Sequence, residues 1–442
     1  MKRIIPLLIN LILLLTPVMK AEEYNLEQFL NLVEQHSKDL KLAKKDVSIA
    51  GTEKKLAASG ALPQVSAGAG YNRNLSEMYM YIDMGALSGE EGAGMSKIPA
   101  TRNNEYTANI ALGQTIFSGT VFNAIKAAKQ YQKLTNYIYD ASYQEIMTFA
   151  KKAFHQTLLL KVVWEVSQAS EYNARENYLD VKQAYENGLA SEFDLLQAEV
   201  RHKDYVPRTT ESERNFNIAL INLKNLAGIS VETSMELSGS LEEYPDLPDM
   251  ATMDNVLNRR PDFNALLWEE KLRNTNVSAE KSAYLPTLTG SLMYTYSAQS
   301  DQWKLEEEND GFILGLNLSL PIFTGGATRA KVQKAKIELD KTRIRIDKSR
   351  EDIERELESI RLRLEEAHNR ITSAEATLKT AQKAFGIAEA TTKAGLTTQL
   401  ELKDSRIMLD QATTGYYSAV YEYLDAYFDW EKAVGTVNSK GL

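Results

Sequence analysis

The chain has 442 residues, a formal net charge of -9 and no cysteine. Its length suits roughly two or three domains. The missing thiols exclude disulfides, thiolate metal sites, cysteine nucleophiles and a lipid anchor on an N-terminal cysteine. The acidic balance, with no basic stripe, argues against a nucleic-acid partner.

The chain opens on Lys2 and Arg3, then the apolar run "IIPLLINLILLL", then "TPVMKA" ending at Ala21. This order reads as a signal peptide over 1–21. The run is short for a membrane span, which needs ~20 apolar residues, and no later segment comes closer. The expectation is a chain that leaves the cytoplasm, either soluble in the periplasm or as a β-barrel in an outer membrane.

Two structural repeats follow, at 22–227 and 261–434, with a linker over 228–260 and a tail over 435–442. Asp39–Gly68 aligns on Asp262–Ser291 at a constant shift of 223, and Gly188 aligns on Gly395 at a shift of 207. Each repeat reads helix, strand, loop, strand, very long helix, turn, helix. The strands are expected near 63–75 and 105–117, then near 286–297 and 311–321.

In the last strand Phe312, Leu314, Leu316, Leu318 and Leu320 share one face, and Gly315, Asn317 and Ser319 the other. Leu288, Leu292, Tyr294 and Tyr296 repeat the pattern, as do Tyr106, Ala108, Ile110 and Leu112, with Val65 to Tyr71 a weaker copy. A half-buried sheet in a soluble domain would alternate in the same way. Strands of ~10 residues with polar opposite faces also suit lipid outside and water inside. The segments Ser76–Asn104 and Ala298–Asp310 read as exposed loop tips. Four strands cannot close a barrel, so in a membrane several copies must share one.

The strands run into long helices through Phe117 and Gly119, and through Pro321, Phe323, Gly325 and Gly326. Proline ends the strand, the glycines permit the bend, and the two phenylalanines are expected to plug the junction, or simply to pack in a core. In the second long helix Val332, Leu339, Ile346, Ile353, Ile360, Ala367, Ala374, Ala381 and Ala388 recur every seven residues. Such a repeat imposes a left-handed supercoil.

The helices turn at "NGLASEFD" and "AGLTTQLE". Gly188 and Gly395 suit the left-handed position closing a helix. Ser191 with Asp194, and Thr398 with Glu401, read as capping boxes at the start of the returning helices. Asp404 lies one turn beyond Glu401 on the same side. It is a solvated carboxylate beside Lys403, or, in a ring around an axis, part of a cation-selective constriction with Glu401. Leu189 and Leu396, at the ends of the hairpins, are candidate docking positions. The four histidines are scattered without metal-ligand spacing, and no nucleotide loop or nucleophile elbow occurs, so neither an enzyme nor a cofactor is expected.

With "RRPDF" at Arg259–Phe263, "YLP" at Tyr284–Pro286, "LPIFTGG" ending at Gly326 and the duplicated glycine–leucine tips, the sequence resembles the TolC-type outer-membrane efflux proteins. The resemblance implies an α+β membrane protein. Its trimeric α-helical barrel of long coiled-coil helices would continue into a shared twelve-stranded transmembrane β-barrel, four strands per chain. Helices and linkers at 23–37, at 229–260 and from Tyr423 onward would belt it. The implied function is the exit duct of a tripartite efflux or type I secretion system in the outer membrane. Its partners would be two further copies, outer-membrane lipid, a periplasmic adaptor, and an inner-membrane pump of the RND or ABC type. The family's constriction acids fall on Glu401 and Asp404, six and nine residues after Gly395. Where enteric members carry a Tyr and an Arg that hold the tip shut, this chain has Thr392 and Thr397. The alternative is a coiled-coil periplasmic adaptor or scaffold without a pore, which would not account for the strands.

Overall fold

The computed structural model describes residues 22–83 and 95–437. The expected signal peptide, the centre of the first loop and the end of the tail lie outside the described residues. The described residues form two compact units, one within 22–44, 139–261 and 350–437, the other within 45–138 and 262–349.

The elements run β1 (Glu22–Tyr24), α1 (Leu26–His36), α2 (Lys38–Ser59), β2 (Gln64–Arg73), β3 (Tyr79–Asp83), β4 (Met95–Pro99), β5 (Asn104–Phe117), α3 (Gly119–Glu186) and α4 (Glu192–Leu226). Then come β6 (Met235–Leu237), α5 (Met253–Arg259), α6 (Pro261–Ser282), β7 (Thr287–Ser300), β8 (Asn309–Ser319), α7 (Ala327–Lys393) and α8 (Gln399–Ala433). The duplication is visible in the helix lengths: α2 and α6 have 22 residues each, α3 and α7 have 68 and 67, and α4 and α8 have 35 each. A helix of 67 residues measures about 100 Å.

In the second unit β2, β5, β7 and β8 form one antiparallel sheet in that order. The register places Ile110, Tyr294 and Phe312 in one row and Leu112, Leu292 and Leu314 in another. Because side chains alternate along a strand, these rows share a face with Val65 and Tyr71 of β2 and with Leu316 and Leu318 of β8. The opposite face carries Asn109, Thr295, Ser291, Thr289 and Asn317. The apolar face is uncovered: Phe312, Leu314 and Leu316 are 75%, 80% and 73% exposed. Among the described residues β2 and β8 each keep one open edge.

Two sequence expectations change here. The segment Ser76–Asn104 is not loop throughout: β3 and β4 pair as an antiparallel hairpin, Tyr79 opposite Pro99 and Asp83 opposite Met95. Its Tyr and Ile residues suit a strand, while Met on both faces, at Met80 and Met95, blurs the period. The two loops are also joined. Arg102 binds Asp301 at 3.3 Å and grips Glu307 through Nε at 3.0 Å, and Asn104 donates to the Ser300 and Gln302 carbonyls at 3.0 Å each.

The two strand-to-helix junctions differ. At the first, a Cβ on Gly119 would lie 2.8 Å from the Ser282 Cβ, so glycine is needed for the close approach of α3 to the end of α6. Asn123 ties the two together, donating to Ser282 Oγ at 2.7 Å. At the second, Gly325 and Gly326 take φ of +61° and +86°, open to glycine without strain. Neither phenylalanine is buried within the chain. Phe117 meets Phe122 edge-on at 6.1 Å, and Phe323 is 88% exposed, so the plug would have to close against something outside one chain.

The first unit has the larger core. Phe29 and Val33 of α1, Phe154 and Leu158 of α3, Leu223 of α4, Leu364 and Ile371 of α7, and Tyr423 and Phe428 of α8 are buried together. Met235 and Leu237 of β6 join them, and β6 pairs in parallel with β1. The segments 23–37, 229–260 and the stretch from Tyr423 thus contribute to one core. Along α7 the seven-residue line is the buried one: Leu339, Ile353, Ile360, Ala367 and Ala381 are each under a tenth exposed, with Leu364 and Ile371 beside them.

Candidate functional site: the paired helical tips

Both hairpins turn by the same chemistry. At the first, the Leu189 amide donates to the Ala184 carbonyl at 2.8 Å and the Gly188 amide to Tyr185 at 2.9 Å. At the second, Leu396 donates to Thr391 at 2.9 Å and Gly395 to Thr392 at 3.0 Å. This is a Schellman closure, and it requires the positive φ of Gly188 (+73°) and Gly395 (+71°). A Cβ at either glycine would meet nothing within 4 Å, so conformation alone asks for glycine. Leu189 and Leu396 follow, 83% and 77% exposed.

The returning helices start differently. Ser191 Oγ accepts from the Asp194 amide at 3.1 Å, and Asp194 Oδ2 accepts from the Ser191 amide at 3.2 Å and from its hydroxyl at 2.6 Å. That is a full capping box, and these bonds hold the Asp194 carboxyl below its ordinary value. At the second tip Thr398 Oγ1 accepts from the Glu401 amide at 3.3 Å, but among the described residues no return bond from the Glu401 carboxylate closes the box. The expectation of two equal boxes is corrected: a longer side chain with an exposed carboxylate leaves Glu401 free of the cap. Asp404 is exposed one turn further along α8. Its charge acts on Arg201 of α4.

Thr392 and Thr397 bond within their own tip. Thr397 Oγ1 lies 2.9 Å from Thr392 Oγ1 and 3.1 Å from Thr391 Oγ1. Hydroxyls this short reach back to the local turn and not across to the other hairpin.

Contacts between the hairpins come from residues that sequence reasoning missed. Asn177 of α3 donates to Gln399 of α8 at 2.6 Å. Ser170 of α3, 2% exposed, donates to Asp410 of α8, whose other oxygen takes Arg406 Nε at 2.9 Å. Burial pushes the Asp410 carboxyl above its ordinary value, against the pull of Ser170 and Arg406. The Arg406–Asp410 spacing of four was readable on one helix face. Ser170, 240 positions away from Asp410, was not. Above the tips the four helices line a half-open cavity of about 340 Å³, bordered among others by Arg201, Tyr205, Phe385, Leu402 and Lys403. Among the described residues no cluster of acidic or histidine side chains could hold a metal ion, and no helix is long and apolar enough to cross a membrane.

The chain is similar to the outer membrane protein TolC of Vibrio cholerae, at 21% identity, covering 100% of this chain and 97% of the relative. It is similar at 21% identity to the alkaline protease secretion protein AprF of Pseudomonas aeruginosa, covering 73% of this chain and 68% of the relative. Its fold is that of the Campylobacter jejuni CmeC outer membrane channel, with a TM-score of 0.77 at 18% identity over 94% of this chain and 87% of that one. The model of the outer membrane efflux protein family matches residues 29–229 and 252–436. Matched over most of its length, the chain belongs to the outer membrane efflux protein family: it is an outer-membrane exit duct of an efflux or secretion system, with a large periplasmic part, and not an enzyme.

Proposed function

We propose that three copies of this chain form one duct, each contributing β2, β5, β7 and β8 to a common barrel and its two long hairpins to a common periplasmic tunnel. The observation that carries this reading is the four-stranded sheet itself. Among the described residues it has an uncovered apolar face, which lipid can cover, and two open edges, which lipid cannot satisfy and which must pair with further copies. The face of Phe312, Leu314 and Leu316 then meets lipid, and the face of Asn109, Thr289 and Thr295 meets water.

In this reading Glu401 and Asp404, a pair from each copy, ring the narrow periplasmic end. A ring of carboxylates concentrates cations there. The exposed Leu189 and Leu396, presented by Gly188 and Gly395, are the surface on which a periplasmic adaptor docks. The adaptor in turn connects the duct to an inner-membrane pump, of RND or ABC type, which supplies the energy. The tip is held shut by Asn177–Gln399 and by Ser170–Asp410–Arg406, in place of the family's Tyr and Arg at the positions of Thr392 and Thr397.

Extraction tests the membrane half of the reading. The protein should stay in the outer-membrane fraction through washes in high salt and in carbonate, and leave it only in detergent. Release by salt alone would favour a pore-less adaptor.

A further inference from the structure

The cavity above the tips is bordered by the closing contacts of Ser170, Asn177, Gln399 and Arg406, but its interior has no role described so far. Its walls come from both hairpins: Ala174 and Asp180 on α3, Arg201 and Tyr205 on α4, Phe385 on α7 and Leu402 on α8. At about 340 Å³ it is at the small end of the range for ligand pockets.

Two arginines line it, and they are unlike each other. Arg406 is satisfied by Asp410 and Ser170, and its guanidinium lies over the Phe385 ring at 5.3 Å. The Arg201 Nε is buried and has no hydrogen-bond partner, on a side chain that is otherwise half-buried. Burial lowers its pKa, and the nearby acid Asp404 acts on it only through its field. A buried cationic donor without an acceptor is costly. A guanidinium presents parallel donors that match the two oxygens of a carboxylate.

The rest of the lining narrows the ligand class. Tyr205, Phe385, Leu402 and Ala174 give an apolar surface. Glu176, Asp180 and Glu389 line the same cavity and oppose a second negative charge. We propose that this cavity binds a small amphipathic monocarboxylate, its carboxylate on Arg201 and its apolar body against Phe385, Leu402 and Tyr205. Because the walls belong to two hairpins, the ligand is gripped only while they are packed together. Binding therefore favours the closed tip. This last step rests on the duct reading; the binding itself does not.

Benzoate is the probe, with benzamide as its uncharged counterpart and inorganic phosphate as a more highly charged anion, all at matched ionic strength. Titration calorimetry on the detergent-solubilised full chain should show saturable benzoate binding. Benzamide and phosphate should bind at least tenfold more weakly. At ten times the dissociation constant benzoate should raise Tm by about 1–2 °C. Arg201→Gln should weaken benzoate binding at least tenfold, and Arg201→Lys, which keeps the charge but loses the fork, should fall between. No binding, equal binding of benzoate and benzamide, or unchanged binding in Arg201→Gln overturns the proposal. Planar-bilayer recordings separate it from the duct reading. Benzoate should lower the open probability of the native chain and leave that of Arg201→Gln unchanged. A conducting channel indifferent to bound benzoate removes the closing role. A chain that never conducts, while benzoate still binds, removes the duct reading instead.

Discussion

At the residue scale, two carboxylates with similar sequence settings have different work to do. Asp194 commits one oxygen, Oδ2, to Ser191, whereas Glu401 and Asp404 are exposed. If the constriction is built from the second tip, Asp404→Ala should weaken cation preference and trivalent-cation block in planar bilayers. Asp194→Ala should instead lower stability slightly through the lost half of the capping box and leave selectivity unchanged. Like behaviour in both variants would move the ring elsewhere. Asp410 makes a separate prediction. Its folded pKa is raised by burial, so the folded state holds this proton at a pH where the unfolded chain has lost it. The stability it contributes is full below the ordinary aspartate value, ~3.9, and is lost as pH rises through the raised value. Asp410→Asn cannot titrate, so its Tm should fall less steeply than the native one across that window. Parallel slopes in the two melting series would show that the proton is not shared with folding.

At the scale of elements, the legible parts were those whose period is local. β5, β7 and β8 alternate large apolar with small polar residues, and the structure places them within a few residues of where that pattern puts them. β2 is built from Val, Ala and Gly, so its alternation was faint, and its pairing with β5 supplies what its own side chains do not. The β3–β4 hairpin was hidden because large apolar side chains occupy both faces of β3, Tyr79 and Tyr81 on one and Met80 and Ile82 on the other. The tips could be read because a glycine in the left-handed region and a serine or threonine cap leave a mark within eight residues. The links between hairpins could not, because Ser170 and Asp410 meet only in the folded chain. Gly119 belongs to the same class: the sequence marks a bend, and only the packing shows the Ser282 side chain against it. Gly119→Ala should therefore destabilise the chain by about 1–3 kcal/mol through crowding. Much of that loss should be recovered in Gly119→Ala with Ser282→Gly, a coupling that a double-mutant melting cycle measures. Additive losses would mean that α3 and α6 do not bear on each other there.

At the scale of the whole molecule, the decisive fact is how incomplete one copy is. Phe323 sits 88% exposed at a strand-to-helix junction, and the apolar row Phe312, Leu314, Leu316 has no cover among the described residues. Lipid can cover that face, but it cannot satisfy the open backbone edges of β2 and β8, where each unpaired group would cost several kcal/mol. In the proposed shared barrel, closure would join β8 of one copy to β2 of the next, antiparallel if all three copies share one direction. The chain has no cysteine, so engineered pairs report on this without a background. A series of variants, each with one cysteine in β2 between Val65 and Tyr71 and one in β8 between Phe312 and Leu318, should contain registers that oxidise to a covalent trimer on a denaturing gel. Disulfide geometry permits only Cα separations of roughly 4.4–6.8 Å, so neighbouring registers should fall silent. Pairs between β5 and β8, which are not neighbours in the sheet order, serve as the control and should stay monomeric. A series in which no β2–β8 register links copies, in protein that remains membrane-bound, would leave the edges unpaired and reject the shared barrel.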